Sequence, residues 1–194
     1  MTTIVARSVL QQCMSAKLMV QPKNEQSDAE YVQITRGVVI FICFMKGASL
    51  QAIPKIVKAL LEVKLSFCEE RKKRFSILEL PGDVLIVPQA TLGGKMKGKV
   101  IQYHGNIDKD VGQELYRSFV QQVREVFEAN KSVVPSECIV QSALRLSFVL
   151  LPFPYTVLGC FWFQPDSLDL FLFEAKRLSL LKIIILLHKL IIFV

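Results

Sequence analysis

The sequence predicts an α/β fold in which a layered, mixed β-sheet core packs against two main helices and is followed by an apolar C-terminal extension. Two uninterrupted apolar runs, Val38–Met45 and Val84–Val87, are typical of strands covered on both faces. Two other segments repeat apolar residues at the three- and four-residue spacing of amphipathic helices. The composition then changes sharply after about Gln141. We therefore predict a domain spanning residues 1–133 and a divergent apolar segment spanning residues 134–194.

The composition predicts an intracellular globular protein. Of 194 residues, 52% are hydrophobic and 21% are charged, which supplies a real core and excludes disorder of the whole chain. Lys and Arg outnumber Asp and Glu by 24 to 17, and the charge of +7 favours polyanionic partners, either RNA or acidic membrane surfaces. The five cysteines include no Cys-x-x-Cys pair, and no secretory signal opens the chain. These features predict a reduced, cytoplasmic environment.

The first predicted elements are strands. The interrupted apolar pattern of Thr3–Val20 suits a pair of strands with a bend near Ser15. The polar segment Pro22–Glu30 is typical of a loop, and Tyr31–Ile34 could form a further strand. The eight-residue run Val38–Met45 is the expected central strand of the sheet.

Two amphipathic helices are predicted further along the chain. Ser49 is placed to cap the first, and Pro54 fits only in its first turn. Its predicted buried stripe consists of Ile53, Ile56, Val57, Leu60 and Leu61. The second helix is predicted over Lys109–Asn130. Its predicted buried face consists of Val111, Leu115, Phe119, Val123, Val126 and Phe127.

The C-terminal segment has several interpretations. Its uncharged run Leu146–Phe163 just reaches the lower length limit of a membrane helix, but Pro152 and Pro154 would interrupt it. The other candidate, Leu178–Val194, contains two lysines and a histidine. A tail rich in Leu, Phe, Ile and Ser is also typical of translated uridine-rich non-coding sequence, so an alternative last exon is favoured over a membrane anchor.

The strongest candidate for chemistry is the segment Pro88–Gly94, which follows the second buried strand. Ligands usually bind at the carboxyl ends of strands in layered α/β proteins. Gln89 supplies an amide, Thr91 supplies a hydroxyl, and two glycines leave backbone N–H groups open to an anion.

Basic residues suggest where RNA could be contacted. Lys95, Lys97 and Lys99 alternate and would point to one side of an extended segment, where they could bind phosphates. The alternative is a solvated hairpin whose lysines protect a sheet edge. A second cluster, Arg71–Arg74, directly follows two glutamates and is more typical of a solvated surface than of an RNA contact.

The histidines predict neither a metal site nor a conventional hydrolase. His104 and His188 lack the spaced partners of a metal site, so no metal and no cofactor is expected. No Ser or Cys with a local signature lies near His104 as a nucleophile.

Several strings carry a family resemblance across residues 5 to 130. They are Gln11-Gln12-Cys13, Gly37-Val38-Val39-Ile40, Cys43-Phe44-Met45-Lys46-Gly47-Ala48, Val63-Lys64-Leu65-Ser66, Ser76-Ile77-Leu78-Glu79-Leu80-Pro81-Gly82, Pro88-Gln89-Ala90-Thr91-Leu92-Gly93-Gly94, Glu114-Leu115-Tyr116 and Phe119-Val120. In order and spacing they resemble the animal branch of the D-aminoacyl-tRNA deacylase family. The resemblance implies a cytosolic homodimer that hydrolyses the ester of misacylated tRNA, carrying either a D-amino acid or a mischarged L-alanine.

The resemblance also implies roles for individual residues. Gln89 and Thr91 match the family's S/P-Q-x-T element and are the predicted catalytic residues. The expected substrate-binding residues are Pro88, Ala90, Phe44 and Gly93, and the expected tRNA contacts are Lys95, Lys97 and Lys99. Catalysis in the family leans on the ribose 2′-hydroxyl and on main-chain groups, so no nucleophilic side chain is needed.

One family signature is absent from the sequence. The Gly-Pro-x-Thr element near the C-terminus has no equivalent here, because the nearest strings, Pro152-Phe153-Pro154 and Pro154-Tyr155-Thr156, contain no Gly-Pro step. Two alternatives to an active deacylase therefore stay open: a catalytically impaired tRNA-binding variant, or a tail-anchored protein associated with a membrane.

Overall fold

A computed structural model describes residues 4–130 together with the backbone of residues 140–142 and 181–193. A curled mixed sheet of six strands forms the centre of this part of the chain. The strands are β1 (Ala6–Gln21), β2 (Glu30–Ile34), β3 (Gly37–Phe44), β6 (Asp83–Pro88), β9 (Val140–Ser142) and β10 (Leu181–Phe193). Their order across the sheet is β10-β1-β3-β6-β9, and β2 pairs with β1 beside this path. The structure confirms the predicted class, a mixed sheet with two helices.

Strand β1 differs from the prediction of two strands, because it is one continuous strand of 16 residues. Its first half pairs antiparallel with β3, and its second half pairs with β2. The alternation of buried residues slips by one position between Cys13 and Ala16. Near Ser15, where a bend was predicted, the strand instead passes from pairing with β3 to pairing with β2, and its register with β10 is irregular. Because both halves keep hydrogen-bonded partners, the chain stays extended.

The parallel pair β3 and β6 (Asp83–Pro88) occupies the middle of the sheet, as the two apolar runs predicted. All the residues from Asp83 to Val87 are buried, and Val39 and Leu85 are fully buried. The backbones of the two strands lie so close together at their first residues that a Cβ atom on Gly37 would overlap the Asp83 carbonyl oxygen. The Asp83 carboxylate accepts hydrogen bonds from the backbone N–H and the hydroxyl of Thr35, at 2.8 and 2.7 Å.

Two helices cover one face of the sheet. Helix α1 (Ile53–Leu61) follows a 3-10 turn at Leu50–Ala52, and all five residues of its predicted stripe are buried. Ser49 precedes the 3-10 turn, but its side chain makes no capping hydrogen bond.

Helix α2 (Lys109–Asn130) has the predicted bounds. Its buried face is shifted from the predicted one, because Val111 is exposed whereas Tyr116 and Val120 are buried. The Tyr116 hydroxyl donates a 2.7 Å hydrogen bond to the Ile86 carbonyl, which attaches α2 to the central strand β6.

Two short hairpins project from this core. Strands β4 (Ser66–Cys68) and β5 (Lys73–Phe75) form the first, within the segment that contains Arg71–Arg74. Strands β7 (Lys95–Lys97) and β8 (Val100–Gln102) form the second.

Part of the C-terminal segment joins the same sheet. Strand β9 (Val140–Ser142) runs parallel to β6, and β10 (Leu181–Phe193) runs antiparallel to β1. Most of the second membrane-span candidate is therefore a strand, whereas the first, Leu146–Phe163, lies outside the described residues. Among the helices of the described part, none combines the length and apolar composition needed to cross a membrane.

Candidate active site

The candidate site lies where the two central parallel strands end. The backbone N–H of Gln89 donates to the Ile42 carbonyl at 2.8 Å, which ties the segment after β6 to the end of β3. The chain then forms a 3-10 turn over Ala90–Gly93. Because the turn begins at the end of a buried strand, its backbone is held in place relative to the sheet.

Gln89 and Thr91 are brought together by this turn. The Gln89 Nε2 donates to the Thr91 Oγ1 at 2.5 Å. Gln89 is half-buried and Thr91 is exposed, so the pair lies at the surface. An amide paired with a hydroxyl can orient a polar substrate through its remaining donors and acceptors.

Asn106 supports the turn through a hydrogen bond, and this residue was not among those predicted from the sequence. Its Nδ2 donates to the Ala90 carbonyl at 2.9 Å. Its Oδ1 is buried without a hydrogen-bond partner in the described part of the chain, and it lies so close to Gly93 that a Cβ there would overlap it. The Ile107 N–H also bonds the Phe44 carbonyl at 3.2 Å. The polar stretch before α2 is the available signal, but it does not distinguish Asn106 from its neighbours.

Arg7 contacts other carbonyl groups of the turn, and it was not predicted from the sequence either. Its Nη1 lies 3.0 Å from the Leu92 carbonyl and 3.5 Å from the Gly94 carbonyl. These contacts join β1 to a loop more than eighty residues later, so no local sequence pattern could reveal them. Asn106 and Arg7 therefore support the turn through its carbonyl oxygens.

A buried thiol lies under the same turn. The Cys43 Sγ is 3.7 Å from the Ala90 carbonyl oxygen. Burial raises the pKa of the Cys43 thiol, although the Gly93 N–H and the positive charge of Arg7 partly oppose this shift. A buried, protonated thiol is a poor nucleophile. We therefore do not expect Cys43 to act as a nucleophile at this site.

Comparisons with known proteins decide the family. The model of the family described as D-Tyr-tRNA(Tyr) deacylase matches residues 9–141, which include the Gln89 turn and Asn106. This chain belongs to that deacylase family. It is 60% identical over 116 residues to D-aminoacyl-tRNA deacylase 2 of Danio rerio, covering 59% of this chain and 71% of the relative. It is 49% identical over 138 residues to D-aminoacyl-tRNA deacylase 2 of Gallus gallus, covering 71% and 82%.

Solved structures agree with this family membership. A probable eukaryotic D-amino acid tRNA deacylase superposes with a TM-score of 0.55 and 32% identity, over 66% of this chain and 72% of that one. The c-Myc DNA unwinding element binding protein also superposes with a TM-score of 0.55, over 70% and 83%. Since it is only 18% identical, that likeness concerns the fold alone.

The other predicted substrate-binding residues of this deacylase have different environments. Pro88 is half-buried, Ala90 is exposed, and Gly93 is buried within the turn. The Phe44 ring is buried, and its centroid lies 6.3 Å from that of Phe119 in an edge-to-face arrangement. Phe44 thus packs in the core on the helical face of the sheet, and its proposed role in substrate binding stays a prediction.

The three candidate lysines of the deacylase are all exposed, but they do not share one strand. Lys95 and Lys97 lie on β7, where alternation places them on the same side. Gly98 adopts a positive φ of 63°, and Lys99 follows it in the hairpin turn. The prediction that all three point to one side of one extended segment is therefore wrong for Lys99.

Proposed function

We propose that this deacylase hydrolyses the ester bond between a wrong amino acid and the 3′ end of a tRNA. The observation that carries the proposal is the Gln89–Thr91 pair on a supported turn at the end of β6. The candidate substrates are D-aminoacyl-tRNA, which the names of its relatives specify, and L-alanyl-tRNA mischarged on a non-cognate tRNA. In this proposal the enzyme works as a homodimer in the cytoplasm, as the family resemblance implies.

The chemistry requires positioning more than a nucleophilic side chain. An aminoacyl ester is already activated, and the neighbouring ribose 2′-hydroxyl can assist its hydrolysis. The first N–H groups of a short helical turn have no partner within the turn, so those of Ala90 and Thr91 could donate to the developing oxyanion. Gln89 and Thr91 would hold the aminoacylated adenosine so that water reaches the ester in a reactive orientation.

A second candidate function is tRNA binding without hydrolysis. It is favoured by the absence of a Gly-Pro-x-Thr element and by the end of the family match at residue 141. Such a variant would keep the Gln89 turn and the basic hairpin but would lack the segment that screens the configuration of the amino acid.

The decisive experiment measures hydrolysis of both substrates by the purified chain and by the double variant Gln89→Ala, Thr91→Ala. The matched control is Gln33→Ala, because Gln33 is an exposed amide on β2, away from the turn. Turnover that only the double variant loses would support hydrolysis at this site. A folded protein that binds tRNA in filter binding but turns over neither substrate would support the second candidate and contradict the first.

A further inference from the structure

A cavity of about 590 Å³ lies at the opposite end of the sheet from the candidate active site. It is bounded by the start of β3, the end of α1, the β4–β5 hairpin and the loop of residues 77–81. On β3 the cavity is lined by Gly37, Val38 and Ile40, whereas the Gln89 turn bonds to the same strand further along, at Ile42. Its apolar walls include Leu10, Ile40, Leu60, Val63, Leu65 and Ile77.

The rim of this cavity carries two arginines, Arg36 and Arg74, which are both exposed. Within residues 4–130, neither guanidinium takes part in an ion pair or a side-chain hydrogen bond. Two unneutralised guanidinium groups at one opening favour an anionic ligand, and guanidinium geometry matches phosphate.

An exposed aromatic ring, that of Phe67, lies beside these arginines. Phe67 is 52% exposed, which is unusual for a phenylalanine and leaves its ring accessible. Phe67 and Arg74 are directly opposite each other in the β4–β5 hairpin, and the guanidinium carbon is 6.0 Å from the ring centroid. Exposed aromatic rings and guanidinium planes are the surfaces on which proteins stack nucleobases.

Polar groups inside the cavity could bond the edge of a base or a ribose. The Gln12 Nε2 donates to the Ser66 Oγ at 2.6 Å, which leaves the amide oxygen of Gln12 as an acceptor. Glu69 at the rim supplies a further acceptor for amino or hydroxyl groups. A purely apolar ligand would leave these groups without partners, which is costly.

We propose that this cavity binds a nucleotide, with its base stacked on the Phe67 ring and its phosphate at Arg36. The ligand is either a free mononucleotide or one nucleotide of an RNA strand, since both present the same base, ribose and phosphate. The proposal does not depend on deacylation, because none of the residues involved belongs to the Gln89 turn.

The test measures binding of AMP and of a short oligoadenylate by titration calorimetry. The full-length chain carries Gln89→Ala and Thr91→Ala, so that adenosine bound at the active site does not contribute. We expect millimolar or tighter binding, and a loss of about tenfold when Phe67→Ala removes one stacking surface. Arg36→Ala should weaken AMP binding but not the weaker binding of adenosine, which has no phosphate. Arg124→Ala, an exposed arginine on α2, is the matched control.

Each outcome bears on the proposal. AMP binding that depends on Phe67 and Arg36 supports a free nucleotide as the ligand, and binding of the oligonucleotide alone supports a nucleotide within RNA. Two outcomes would overturn the proposal: a folded protein that binds neither probe, or binding that Phe67→Ala, Arg36→Ala and Arg124→Ala affect equally.

Discussion

The side-chain oxygen of Asn106 packs directly against Gly93, so closely that a Cβ atom on Gly93 would overlap it. No side chain other than hydrogen fits at residue 93 while Asn106 keeps its bond to the Ala90 carbonyl. The shape of the turn that carries Gln89 and Thr91 is thus set jointly by a glycine and by an asparagine from another segment.

Gly93→Ala is expected to lower kcat/KM for ester hydrolysis by about 100-fold, because displacement of the turn by about 1 Å is costly to catalysis. Asn106→Ala removes one hydrogen bond and should cost about tenfold. The double variant has room for the new methyl group and should resemble Asn106→Ala alone. Steady-state kinetics on all three variants checks this double-mutant cycle, and effects that simply multiply would contradict it.

Replacing Lys95, Lys97 and Lys99 together by alanine is expected to weaken tRNA binding and flatten its dependence on salt. The slope of log K against log salt should become shallower by about one for each removed lysine that neutralises a phosphate. Lys55→Ala, an exposed lysine on α1, provides the control. Filter binding over a range of salt concentrations makes the measurement, and an unchanged slope in the triple variant would refute the assignment.

Gly37→Ala is expected to destabilise the fold by about 3 kcal/mol, because the new methyl group would overlap the Asp83 carbonyl between two central strands. Gly98→Ala is the comparison, since nothing lies within 4 Å of its Cβ position and only its positive φ is unfavourable. That change should cost about 1 kcal/mol. Urea unfolding of both variants measures the difference, and equal destabilisation would show that a small backbone shift relieves the overlap.

The Cys43 thiol is expected to react slowly with iodoacetamide at neutral pH, because burial raises its pKa and keeps it protonated. Cys68 is only half-buried and should be alkylated first, which peptide mass spectrometry can measure. Since the folded thiol has the higher pKa, its contribution to stability is present below the ordinary thiol value of 9.0 and is lost as the pH rises through the folded value. Equal alkylation of both cysteines in the folded protein would contradict the prediction.

Local patterns in the sequence were sufficient for the central parts of the fold. The apolar run Val38–Met45 predicted β3, and the spacing of Ile53 to Leu61 predicted the buried face of α1, because periodicity depends only on neighbours along the chain. The turn with Gln89 and Thr91 was found through its position after a buried strand and through the family resemblance.

The supports of that turn could not be predicted in the same way. Arg7 and Asn106 contact its carbonyl oxygens from distant segments, and such contacts follow from strand order rather than from composition. Likewise, the continuity of β1 depends on its two halves bonding to different strands, β3 and β2. The predicted alternation of the lysines does not continue beyond Lys97, because the chain turns at Gly98, which has a positive φ.

The pairing of β1 with β10 has a consequence for biosynthesis. On the ribosome, β1 emerges well before β10, its partner along Arg7 to Leu18, is translated, because the two strands are far apart in the sequence. Until Leu181–Phe193 has left the exit tunnel, that edge of β1 offers unpaired backbone groups to any other strand nearby. A nascent chain that stalls before this point would therefore be a target for chaperones or for aggregation, even though its Gln89 turn has already been made.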